Sequence, residues 1–205
     1  MSDTPNSTPT PTMDAYLNAT VAPRFAELVQ AATQRANAAQ RELDDLRAAS
    51  GTIAWEISGP ASEVCYANIA DGAITVAAEP AHAPFLTIVQ TPADWERFTH
   101  GLAHLFTGDP RRPFGRSRIE RVRAITGAVR FLLTGVPDGG EWACTLYFGA
   151  AARPAEPQTT VTLPADLVTK MQSGQLDPQM AFMQGQIKLS GDMSLAMQLG
   201  MALFM

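Results

Sequence analysis

The chain has 205 residues, a formal net charge of −5, 46% apolar and 17% charged residues. Its length holds one large domain or two small ones with a sizeable core, and its acidic balance excludes general affinity for nucleic acid. No apolar run approaches the about twenty residues that a membrane-spanning helix needs, and the opening MSDTPNSTPTPT has neither the basic nor the apolar part of a signal peptide, so a soluble, cytoplasmic chain is expected.

Residues 1–12 are rich in Ser, Thr and Pro and read as a disordered tail. Residues 13–50 read as a long helix that Pro23 starts or kinks. Phe25, Leu28, Ala32, Ala36, Ala39, Leu43 and Leu46 recur at spacings of three and four, one apolar stripe that Gly51 ends. Such a stripe packs on a sheet or pairs with a second copy in a homodimer, for which the alanines allow close approach.

A first α+β half, residues 51–108, follows. Ile53, Trp55 and Ile57 alternate with polar residues in a strand. Glu63 to Ile69 is a second strand, and Asp71-Gly72 a strong hairpin signal before Ile74 and Val76. Phe85 to Val89 is nearly continuous in apolar residues and should be central. Thr91-Pro92-Ala93-Asp94 caps a helix that carries Trp95, Phe98 and Leu102 on one face. Cys65 and Cys144 both fall in strand-like runs and read as buried free thiols of a reducing compartment.

Residues 109–126 form a basic linker and short helix. Arg111, Arg112, Arg116, Arg118, Arg121 and Arg123 face only Glu120 and Asp109 in charge. Arg111, Arg112 and Arg116 are candidates for docking to an anionic membrane or an acidic protein partner. No aromatic interleaving accompanies them, so nucleic acid is not an expected partner. Ile119, Val122 and Ile125 should point inward.

Residues 127–205 form the second half. Val129, Phe131 and Leu133 share one face of a strand, and Trp142, Cys144, Leu146 and Phe148 share one face of the next. Val161 and Leu163 mark a short strand, and Pro164 opens a helix that Gly174 stops. Asp177-Pro178 caps a second short helix, to Gln184. Gln186 to Ser190 alternate as a strand, Gly191 turns the chain, and Asp192 caps a last helix. Leu195, Leu199 and Leu203 line one face of that helix, and Met193, Met197 and Met201 the adjacent one. Seven of the nine methionines lie from Met171 onward, and the last thirteen residues carry no charge. Flexible thioethers suit irregular apolar sites as well as cores.

The run from Ser173 to Leu199, SGQLDPQMAFMQGQIKLSGDMSLAMQL, resembles the C-terminal signature of the type-2 sterol carrier protein family. The resemblance is clearest over Gly174 to Leu199 and extends more loosely over Gly127 to Met205. It implies an α+β fold, a mixed sheet covered by helices, with an apolar tunnel for a sterol, fatty acyl chain or similar lipid. On that reading the ligand-binding residues are Phe131, Leu133, Trp142, Leu146, Phe148, Met171, Phe182, Met183, Ile187, Leu189, Leu195, Leu199 and Leu203.

The halves also resemble each other. Ile57-Ser-Gly59 corresponds to Leu133-Thr-Gly135, Ala78-Glu-Pro-Ala81 to Ala152-Arg-Pro-Ala155, and Pro92-Ala-Asp94 to Pro164-Ala-Asp166. An internal duplication is expected, with the halves completing one another's sheet, because Ala150 to Gln158 shows no third strand. No catalytic constellation, cofactor motif or metal site emerges. His100 and His104 stand at i, i+4 without an acid beside them. The expected function is non-catalytic carriage or presentation of a hydrophobic ligand; the alternative is an enzyme or biosynthetic accessory protein that holds a hydrophobic metabolite in the same cavity.

Overall fold

In a computed structural model, residues 12–60, 62–102, 115–136, 140–149 and 153–204 are described. The chain divides into two compact units, Met1–Asp44 and Asp45–Met205.

The first unit is helical: α1 (Met13–Tyr16), a π-helical stretch (Leu17–Val21), then α2 (Ala22–Arg47), which runs on into the second unit. The wide π turn falls just before Pro23, whose missing N–H and bulky ring disturb the ordinary ladder. No side chain of α2 is fully buried. Phe25 and Leu28 are each 67% exposed. The helix ends at Arg47, and Gly51 is the first residue of a strand rather than the stop.

The second unit is built on a sheet of eight strands: β1 (Gly51–Ile57), β2 (Glu63–Ala70), β3 (Ala73–Ala77), β4 (Leu86–Gln90), β5 (Gly127–Thr134), β6 (Glu141–Phe148), β7 (Thr159–Pro164) and β8 (Lys188–Gly191). Their spatial order is β3-β2-β1-β4-β6-β5-β7-β8. The pairs β1·β4 and β5·β7 are parallel and the others antiparallel. The sheet is therefore mixed, and among the described residues α2 and six further segments of helix complete an α+β fold. Strand directions along β3-β2-β1-β4-β6 run up, down, up, up, down. The same sequence repeats along β4-β6-β5-β7-β8. β4 stands beside β6 as β3 stands beside β2, so the first half supplies the outer strand that the second lacks.

Local signals made these elements. Asp71 and Gly72 both adopt positive φ, +52° and +73°, as the tight hairpin between β2 and β3 demands. Thr91 Oγ1 accepts from the Asp94 N–H and starts α3 (Pro92–Arg97), which widens into a π turn, Phe98–Leu102. The Arg-rich helix α4 (Arg116–Arg123) buries Ile119, Val122 and, just beyond it, Ile125. Pro164 is extended, closing β7 and flanking α5 (Ala165–Gln172) as its N-cap, one position earlier than a first-turn proline. Asp177 caps α6 (Pro178–Met183) through the N–H groups of Gln179 and Met180. Gly191 has φ +98° and lies against the Gln158 carbonyl where a Cβ would clash, and Asp192 then caps α7 (Met193–Phe204).

Candidate functional site

Strand register sorts the side chains of the sheet onto two faces. Ile53, Trp55 and Ile57 of β1 share a face with Leu86, Ile88 and Gln90 of β4. Leu86 and Ile88 stand opposite Phe148 and Leu146 of β6. Leu146, Cys144 and Trp142 stand opposite Val129, Phe131 and Leu133 of β5, which align with Thr159, Val161 and Leu163 of β7. Val161 stands opposite Leu189 of β8. One face of the sheet is thus apolar from β1 to β8. The opposite face carries Thr52, Tyr147, Thr145, Arg130, Thr160 and Lys188; on it Arg153 joins Glu56 at 2.7 Å and lies 5.2 Å from the Tyr147 ring centroid.

The apolar face is covered unevenly. α7 meets β5, β7, β8 and α4; Val129 and Leu133 of β5, Trp142 and Phe148 of β6, and Leu195 and Leu199 of α7 itself are fully buried. Ala181 of α6 is completely buried in the same cluster. By contrast, Ile53, Leu86, Ile88, Phe131 and Leu146 on the same face are only partly buried, with Phe98, Val168, Met171, Leu176, Ile187 and Leu189 around the core in the same state. Four of the five sit on β1, β4 and β6, in the middle of the sheet, where strands with neighbours on both sides and helices above are ordinarily closed off. The result is a half-accessible apolar floor.

Aromatic rings border its first-half end. Trp55 lies 5.6 Å from Trp95 and 5.3 Å from Phe98, and Phe98 lies 6.2 Å from Trp142. Asp94 fastens this corner: its carbonyl accepts from Trp142 Nε1 at 2.9 Å and its carboxylate from the Ala143 N–H at 3.1 Å. Gln90 is 2% exposed. Its Oε1 accepts from Trp55 Nε1 at 2.7 Å, while Nε2 has no partner. Indole only donates, so the orientation of this amide is set and a flip does not relieve the orphan donor. Burial, and then the charge of Asp94, push the Cys144 thiol up to about 12, so it is inert. Cys65 is only half-buried.

Of the thirteen residues expected to bind ligand, the sheet brings Phe131, Leu133, Trp142, Leu146, Phe148 and Leu189 onto one face. Phe131, Leu146, Met171, Ile187 and Leu189 remain half-accessible; Leu133, Trp142, Phe148, Leu195 and Leu199 are closed into the core. Phe182 and Met183 point to solvent, 44% and 74% exposed. Leu203 falls in the last turn, beyond the described side chains. Met193, Met197 and Met201 form an uncovered stripe on α7. Among the docking candidates, Arg116 is exposed and 3.7 Å from Glu120; Arg111 and Arg112 lie outside the described residues, as does His104. His100 Nδ1 is 2.8 Å from the Glu96 carbonyl. Sequence reasoning missed Ile53, Trp55, Leu86 and Ile88. Their alternation was legible, but β4's place beside β6 was not. A separate recess of about 220 Å³ is lined by Thr126, Gly127, Tyr147, Gly149, Arg153 and Gln158, among others, smaller than the roughly 300–1,000 Å³ of ligand pockets.

A mixed sheet with one apolar face under helices defines an α+β domain. Residues 116–204 match the model of the SCP-2 sterol transfer family. Hydroxysteroid dehydrogenase-like protein 2 of Mus musculus is 38% identical over 85 residues, 39% of this chain and 17% of that protein. The Xenopus tropicalis protein of the same name is 34% identical over 85 residues, 39% of this chain and 20% of its own. The chain thus spans about a fifth or less of the length of these relatives. Among solved structures, sterol carrier protein domain 2 of Helicoverpa armigera is 28% identical, with 48% of this chain and 80% of that one covered and a TM-score of 0.35. Sterol carrier protein 2 like 2 of Aedes aegypti is 24% identical, with 55% and 94% covered and a TM-score of 0.32.

Proposed function

We propose that the protein binds a sterol, fatty acyl chain or similar lipid against the apolar face of its sheet and carries or presents it unchanged. The observation that carries this reading is the half-accessible floor of Ile53, Leu86, Ile88, Leu146 and Phe131. Apolar side chains left accessible amid a helix-covered sheet lower the free energy of any apolar molecule that takes the place of water there, by about 25 cal/mol per Å². The match of residues 116–204 to the model of the SCP-2 sterol transfer family supports the same reading. A mostly apolar floor with few polar groups selects for hydrophobic shape rather than for one functional group. The floor crosses from β1 to β5, so in this reading both halves contribute to one site, and the repeated strand directions are the trace of an internal duplication. The basic helix α4, with Arg116, and the arginines before it would bring the carrier to an anionic membrane surface.

The test is native mass spectrometry of the purified full chain, with extraction of what co-purifies. A mixed population of fatty acids or sterols is the expected result. A single polyfunctional metabolite that is turned over on incubation would replace carriage with the enzyme reading. A chain that emerges empty and ignores a fluorescent fatty acid would end both.

A further inference from the structure

We infer that α2 is one strand of a parallel, two-stranded coiled coil, and that its occupant is α2 of a second copy of this chain. This interaction surface stands apart from the lipid site proposed above. Between Ala22 and Leu46 the apolar residues keep a strict 3.5-residue repeat. Ala22, Val29, Ala36 and Leu43 fall at a positions, and Phe25, Ala32, Ala39 and Leu46 at d positions. Every a and d position of the run is apolar. None of these side chains is fully buried; Phe25 is 67%, Val29 50% and Leu43 39% exposed. A helix of 26 residues draws most of its stability from packing of its apolar face, and no described residue of its own compact unit covers that face.

Charge argues for what covers it. The helix carries four arginines, Arg24, Arg35, Arg41 and Arg47, and four acids, Glu27, Glu42, Asp44 and Asp45. Helices that lie on anionic membranes have polar faces rich in Lys and Arg, and this balanced face lacks that excess. A second copy fits better. In parallel register a g residue meets the e residue five positions on in the partner. Glu42 at g then meets Arg47 at e of the other copy, twice by symmetry. In antiparallel register g faces g, which sets Arg35 against itself and leaves Glu42 beside Leu28. The central alanines let the two backbones approach closely between the larger layers at Phe25, Val29, Leu43 and Leu46.

Sedimentation equilibrium of the full chain tests the inference, with Val29→Asp/Leu43→Asp as the disrupting variant. Tryptophan fluorescence controls for folding, since Trp55, Trp95 and Trp142 all lie in the second unit. The expected result is a dimer that the double variant converts to monomer while the fluorescence stays unchanged. Glu42→Lys should weaken the dimer several-fold, and adding Arg47→Glu should restore it. In a Cys65→Ser background, Ala39→Cys should oxidise to a disulfide-linked dimer, because equal d positions meet only in parallel register. A monomeric wild type, a dimer that survives the double variant, or a wild type carried down by anionic vesicles through this face would overturn the coiled coil. Failure of Ala39→Cys to cross-link, or of the charge swap to restore association, would overturn its parallel register.

Discussion

Tryptophan substitution at two leucines separates a ligand floor from an ordinary core. Leu146 stands between Ile88 of β4 and Val129 of β5 on the apolar face and is half-accessible. Leu199 of α7 is 3% exposed. Adding an indole at Leu199 has no free space to enter, and overpacking of this kind costs about 1–3 kcal/mol. For a chain of this size each kcal/mol shifts Tm by about 2–4 °C, so Leu199→Trp should melt about 2–12 °C below the wild type. At Leu146 the ring extends into the accessible side of the floor, and Tm should stay within about 2 °C of wild type. The same ring occupies the space proposed for the ligand. Binding of a fluorescent fatty acid to Leu146→Trp should weaken at least tenfold, or about 1.4 kcal/mol. Differential scanning calorimetry and a fluorescence titration on the two variants read both quantities. If Leu146→Trp loses stability as Leu199→Trp does, or keeps full affinity, the half-accessible face is core and the lipid site is elsewhere.

Further outcomes are expected. Leu195→Ala should cost about 2–5 kcal/mol in urea denaturation, because its side chain is buried beneath α7, whereas Met197→Ala, on the exposed stripe, should change stability by less than about 0.5 kcal/mol. In the native protein a thiol reagent at mildly alkaline pH should modify Cys65 and spare Cys144, whose burial holds its pKa near about 12; two modified thiols before unfolding would contradict that burial. Asp45 is held below the ordinary carboxylate range chiefly by the hydrogen bond from the Ser117 hydroxyl, at 2.6 Å. A depressed folded pKa stabilises above the unfolded value and is lost as pH falls through the folded one. The stability gap between wild type and Asp45→Ala should therefore be present at neutral pH and shrink below about pH 4; it should be small, since the pair is near the surface, and a gap that grows in acid would refute the assignment. Changing Arg111, Arg112 and Arg116 to Gln should reduce co-sedimentation with anionic vesicles without altering affinity for the free ligand, and a wild type that ignores such vesicles at low salt would remove the docking role.

Much of this molecule was legible from short-range chemistry. Asp71-Gly72, Thr91-Pro92, Asp177-Pro178 and Gly191-Asp192 each set backbone angles or a cap within a few residues, so the elements they bound can be read from the sequence. Alternation assigned the apolar faces of β1, β5 and β6, and the spacing of Leu195 and Leu199 against Met193 and Met197 divided α7 into two adjacent apolar faces, of which the tertiary structure covers the leucine one and leaves the methionine one exposed. The likeness to the sterol carrier family was legible too, because the turns and caps that carry it fall in one continuous run, Gly174 to Leu199. The pairing of β4 with β6 had to come from the tertiary structure, since it joins strands more than fifty positions apart and no local signal specifies such a neighbour. That pairing puts Ile53, Leu86 and Ile88 on the same face as Leu146 and Phe131. Which of these stay accessible depends on where the helices land, as does the closing of Leu199 into the core while Met183, sixteen positions earlier, faces water. Periodicity tells which side of an element is apolar; burial is decided by the other surfaces that reach it, and those are set by packing across the whole chain.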